Sequence, residues 1–126
     1  MNDAENQKAC KPRLDLLERA ADEQIAQVMA EGARKYGLRN YTTKPMPARV
    51  IGAAIRRHTA AWLSGEDIDP DSGVSHLAHI GANVHVMLAA IEAGTFVDDR
   101  KPTPPNVFTD APRNFWPPSQ WGPLDG

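Results

Sequence analysis

The chain has 126 residues and one cysteine, Cys10, so no internal disulfide framework can carry its fold. Its N-terminus, Met1-Asn2-Asp3-Ala4-Glu5-Asn6, lacks both a basic segment and an apolar targeting segment, and the expected setting is a reduced cytoplasm. Long hydrophobic runs are also missing. A membrane helix needs ~18 consecutive apolar residues, and the best candidates are broken by Arg56, Arg57 and His58 or by His76, His79 and His85. Charge of one sign is scarce, with 14 Lys and Arg against 16 Asp and Glu. A net charge of -2 argues against bulk binding to nucleic acid or to an anionic membrane, so an anionic ligand needs a local site. Several catalytic signatures are absent: a Walker-type phosphate loop, Cys-x-x-Cys, a Ser-His-Asp set, and a His-Asp dipeptide. Position 77 is Leu and the histidines stand three apart, which excludes the zinc-protease His-Glu-x-x-His.

What is present is helical periodicity, followed by an abrupt change of composition. Seven of the eleven prolines fall between residues 102 and 123, together with Phe108, Phe115, Trp116 and Trp121. No regular helix survives that proline density. Residues 95–126 are therefore expected to form an extended tail lying on the domain or on a neighbouring subunit, after an α-helical domain over 1–94. Leu17, Ala21, Ile25, Val28, Gly32 and Tyr36 predict a helix from about residue 19 to 36, closed by Gly37. A second starts with Pro47 as its first residue, runs through Val50, Ile51, Ala54, Ile55, His58, Ala61 and Trp62, and stops at Gly65. The third follows an N-cap at Asp71, Ser72 or Ser75, buries Leu77, Ile80, Val84, Met87, Leu88 and Ile91, and ends at Gly94. The expected fold is all-α, a small bundle of three to four helices with few or no strands. So thin a core favours a homo-oligomer, dimer or larger.

Four constellations could carry chemistry. Glu66, Asp67, Asp69 and Asp71 crowd the link between the second and third helices, either as a solvated acidic loop or as a site for Mg²⁺, Mn²⁺ or Ca²⁺. The loop is not an EF-hand, since its sixth position is Ser72 and its twelfth Ala78. His76, His79 and Asn83 share one face of the third helix, at the expected border of the core, where polar groups need partners or a ligand. His85 falls elsewhere and is expected at the surface. Arg56, Arg57 and His58 cannot all face solvent; arginine suits phosphate, and pairing with the acidic loop is the alternative. The stretch from Gly32 to Tyr41 adds Lys35, Tyr36 and Asn40, which could hold a base and a phosphate or simply complement a helix dipole.

Lys11-Pro12-Arg13-Leu14-Asp15-Leu16-Leu17, Gly32-Ala33-x-Lys35-Tyr36-Gly37-x-x-Asn40-Tyr41, and the block from Arg57-His58 through Ala61-Trp62, Gly65 to Gly73, His76-Leu77, His79 and Asn83 resemble the phage-encoded dATP/dGTP diphosphohydrolase N-terminal domain family. The resemblance spans about residues 8–92 and implies kinship with MazG-like and HisE-like nucleotide pyrophosphohydrolases. It implies a purine deoxynucleoside triphosphate cleaved to monophosphate and pyrophosphate with Mg²⁺ or Mn²⁺. Under it, Glu66, Asp67, Asp69, His76 and His79 are the candidate metal ligands, and Glu66, Asp69 and His79 the catalytic groups. Lys35 and Arg57 are expected on the phosphates, with Tyr36, Asn40 and Asn83 nearer sugar or base and His58 a further substrate-binding residue. One departure stands out: MazG-like enzymes hold metal with Glu-Glu-x-x-Glu and Glu-x-x-Asp helices, and this chain has neither. Either the acidic link and histidines rebuild the site, or the protein binds and sequesters a nucleotide without cleaving it, blocking a host nucleotide signal.

Overall fold

Helix α1 (Arg19–Tyr36) carries Arg34 and Lys35 in its last turn, where cations complement the negative end of the helix dipole. Gly37, at φ 98°, then turns the chain in a conformation that side chains with a Cβ rarely adopt. These features belong to a computed structural model that describes residues 11–100. Short 3₁₀ turns at Leu14–Leu16 and Asn40–Thr42 flank α1, and strand β1 (Met46–Pro47) leads into helix α2 (Ala48–Leu63). Pro47 is the N-cap of α2 and not its first residue, with extended backbone at φ -71°, ψ 133°. That extension lets β1 pair in parallel with β2 (Phe96–Val97). The Arg49 N–H donates to the Asp99 carboxylate at 2.9 Å, so a residue just beyond β2 caps the start of α2.

Helix α3 (His76–Ala93) completes the set, and the fold over the described residues is all-α apart from this short strand pair. Of the three N-cap candidates, Ser75 takes the position, its hydroxyl accepting from the Leu77 N–H at 3.1 Å. The helix ends at Gly94, in the left-handed conformation of a C-terminal cap. Among the described residues no helix is long and apolar enough to cross a membrane.

The core corrects the expected burial. Helix α3 lies between α1 and α2, and it turns inward His76, Ala78, Ala82 and Ala90. Leu77, Val84, Leu88 and Ile91, expected inside, are exposed, and Ile80 and Met87 are half-buried. On α2, Ile51 and Ala48 are buried while Val50 and Trp62 are not; Leu17, placed on the first apolar stripe, precedes α1 and is exposed. Small residues win the inward positions because they let helices approach closely. A Cβ added at Gly81 would come within 2.8 Å of the Ile25 side chain, so α1 and α3 meet where no larger residue fits without a shift. Phe108 and the other aromatic residues of the proposed tail, together with Cys10, lie outside the described residues.

Candidate functional site

The acidic link between α2 and α3 is a folded turn. The Asp69 N–H donates to the Val74 carbonyl at 2.9 Å, the Gly73 N–H to the Asp69 carbonyl at 2.7 Å, and the His76 N–H to the Asp67 carbonyl at 2.9 Å. An antiparallel bridge between Ile68 and Ser75 closes it. This backbone turns the Asp69 carboxylate inward, to 14% exposure, and leaves Asp67 and Asp71 exposed. Asp69 accepts from the Asp71 N–H at 3.2 Å and from the Ser72 hydroxyl at 3.1 Å.

Facing Asp69 are two imidazoles from different helices. His79 of α3 places Nε2 3.3 Å from Asp69 Oδ2 and 2.7 Å from Ser72 Oγ. His58 of α2 stacks on His79 with ring centroids 4.4 Å apart and planes within 5°. One ligand atom from each of His58, Asp69 and His79 can be chosen so that all lie within 4.8 Å of one another. Behind this cluster, His76 Nδ1 meets His58 Nδ1 at 2.9 Å and His76 Nε2 meets Glu66 Oε1 at 2.7 Å.

Burial, and next the His79 ring, hold His58 below the ordinary histidine value. Burial likewise lowers His79, with the Asp69 carboxylate only partly offsetting it. For Asp69, burial acts upward, but the Asp71 N–H, the Ser72 hydroxyl and His79 together outweigh it and keep the carboxyl below its usual range. The cluster is thus two neutral imidazoles beside one carboxylate at neutral pH. That protonation is the one a divalent ion requires. The mixed nitrogen and oxygen set fits a first-row transition ion better than Mg²⁺, which favours all-oxygen surroundings.

The cluster lies on the wall of a cleft of about 630 Å³, within the ~300–1,000 Å³ span of small-molecule sites. Lys35 and Tyr36 of α1, Arg57 and His58 of α2, Glu66 and Asp69 of the link, and His76, His79 and Asn83 of α3 all line it. Of the expected site residues, Asp67 and Asn40 are not brought there: Asp67 contributes its carbonyl to the turn, and Asn40 lines an adjoining pocket. That second pocket, about 240 Å³ and mostly apolar, includes Met29, Leu38, Tyr41 and Ile51, and it shares Val28, Gly32, Tyr36 and Asn83 with the cleft. The Asn83 amide N–H donates to the His79 carbonyl at 2.8 Å, which fixes the side chain between the two spaces. The polar face of α3 therefore forms one wall of this cleft, with His76 buried at its base.

Two participants went unseen in the sequence. Ser72 links Asp69 to His79; sequence reading gave it only a capping role, and its place three residues after Asp69 was the available signal. Glu31 lines the cleft four residues before Lys35, the spacing of a helical ion pair, with 3.9 Å between the charged atoms. His85 is exposed, as expected.

A helical frame thus sets imidazoles, carboxylates and cations around one cleft. The particular family is shown by comparison: the chain belongs to the family described as dATP/dGTP diphosphohydrolase, N-terminal, whose model matches residues 1–100. It is also similar to a Salmonella phage PMBT28 protein named dATP/dGTP diphosphohydrolase, 26% identical over 91 residues. That match covers 72% of this chain and 31% of the relative, so the chain spans about a third of the phage protein's length. No solved structure matches.

Proposed function

We propose that this chain binds a purine deoxynucleoside triphosphate and hydrolyses it to the monophosphate and pyrophosphate, editing a phage nucleotide pool in the host cytoplasm. The observation that carries the reading is the His58, Asp69 and His79 cluster beside Lys35 and Arg57 in one cleft, in a member of this family. His58, Asp69 and His79 would hold a divalent ion, with Mn²⁺ suiting the donor set better than Mg²⁺. Such an ion would neutralise phosphate charge and lower the pKa of a water.

The residues then divide the substrate between the two spaces. Lys35 and the Arg57 guanidinium bind the charged phosphates. The apolar pocket takes the purine, with Tyr36 and Asn83 at the junction and Asn40 and Tyr41 beyond. A water attacks the α-phosphorus, the bond from that phosphorus to the bridging oxygen breaks, and pyrophosphate leaves as dNMP forms. The proton that the water releases passes to solvent, and the Ser72 hydroxyl, 3.1 Å from Asp69 and 2.7 Å from His79, holds those two side chains together. Incubation with a panel of nucleoside and deoxynucleoside triphosphates tests this, using Mn²⁺, Mg²⁺ or a chelator. Monophosphate and pyrophosphate lost on chelation support it, and intact nucleotides throughout refute cleavage.

A second reading, sequestration without cleavage, is favoured by one observation: the cluster contains a single carboxylate, little anionic charge for a metal-driven hydrolysis. It requires stoichiometric nucleotide binding that survives chelation and releases the ligand unchanged on heating. We also propose self-assembly through the exposed apolar side of α3, because Leu77, Val84, Leu88 and Ile91 form an exposed stripe that has no partner among the described residues. Light scattering of the pure protein reads this, and a monomer at all concentrations refutes it.

A further inference from the structure

We infer that Glu66 and His76 are a positioning pair that sets the ring tautomer of His58, leaving the His58 Nε2 lone pair free for a ligand; the use of that lone pair rests on reading His58, Asp69 and His79 as an ion site. Three groups from separate parts of the fold form one hydrogen-bonded row. Glu66 Oε1 lies 2.7 Å from His76 Nε2, and His76 Nδ1 lies 2.9 Å from His58 Nδ1. His76 is only 4% exposed, so water is a poor substitute for either partner.

Proton placement follows from what each atom can do. An ionised carboxylate only accepts, so His76 Nε2 carries a hydrogen. In a neutral imidazole the other nitrogen is then an acceptor, so His76 Nδ1 has the lone pair. Two ring nitrogens at 2.9 Å need one hydrogen between them, and His58 must supply it from Nδ1. Its remaining nitrogen, Nε2, is left unprotonated. Stacking of His58 on His79 at 4.4 Å helps to hold the ring in this orientation. Without Glu66 the row can reverse: His76 donates from Nδ1, His58 accepts, and the His58 proton moves to Nε2, where it blocks coordination. A carboxylate that touches no ligand of the cluster thus decides whether one of its members can bind. Outer partners of this kind orient metal-binding imidazoles generally.

Nitrogen-15 NMR of the histidine rings, recorded on the full chain without metal at pH 8, reads the tautomer directly. The expected spectrum has His58 protonated at Nδ1 and bare at Nε2, and a hydrogen on Nε2 overturns the assignment. In Glu66→Ala the His58 signals are expected to shift toward the Nε2-protonated form. Because the Glu66 side chain is half-exposed, that variant tests the pair even if His76→Phe does not fold. Calorimetric titration with Mn²⁺ alone gives the second readout, with affinity expected to fall about 10- to 100-fold in Glu66→Ala. Equal affinity in wild type and variant overturns the positioning role. Absence of Mn²⁺ binding in wild type refutes the ion site itself, while the tautomer in the metal-free spectrum still confirms or overturns the row.

Discussion

The two sides of α3 invert the usual arrangement of a helix in a small protein. Its inner side presents His76, His79 and Asn83 among alanines, while its outer side presents Leu77, Val84, Leu88 and Ile91 to solvent. Small residues on the inner side bring three helices close enough for polar groups from two of them and from the link to meet. The larger apolar residues would have filled the cleft. What stabilises this fold and what lines its site thus compete for one surface, and here the site holds the inner one.

Breaking the inner side should have the largest effect. Asp69→Asn or His79→Ala is expected to abolish turnover, with thermal stability held within about 1 kcal/mol, as read by product chromatography and denaturant melts. A variant that unfolds instead would mark that residue as structural. Packing should separate the two sides next. Ala90, 0% exposed, is enclosed by its neighbours, and Ala90→Leu is expected to cost about 1–3 kcal/mol. Leu88, 64% exposed, should tolerate Leu88→Ala within about 0.5 kcal/mol in the monomer. If the Leu88 change costs as much as the Ala90 change in urea melts, the outer stripe is covered in an assembly.

The smallest effect is graded and depends on pH. His58 and His79 titrate below the ordinary 6.5 when folded, so between the two values the unfolded chain binds more protons. The stability they contribute is therefore complete above pH 6.5 and is lost as pH falls through their folded values. The melting temperature of the metal-free protein should drop on that acid side. His79→Gln should flatten the drop, and Leu88→Ala should leave its shape unchanged.

Helix boundaries were legible in the sequence because local chemistry sets them. Gly37, Ser75 and Gly94 act within one turn of their own position, and the three helices begin and end within two residues of where periodicity and caps placed them. Which side of α3 faces inward was not legible. Its only formally charged residue is Glu92, so hydrophobicity gives no contrast around the helix. The register of His76, His79 and Asn83 showed that they share a face. Their meeting with His58 depends on how α2 lies against α3, which no spacing along the chain records. Asp67 misled for a related reason, since alternation along the acidic link hid a turn that sends only Asp69 inward.

The bond from Arg49 to Asp99 has a bearing on how the chain is held after β2. It fastens the outgoing chain to the first turn of α2, nine residues before His58, about 14 Å along the helix axis. Asp99 therefore stands at the start of α2 and away from the cluster. One hydrogen bond thus ties the last described residues to the start of the helix that carries His58.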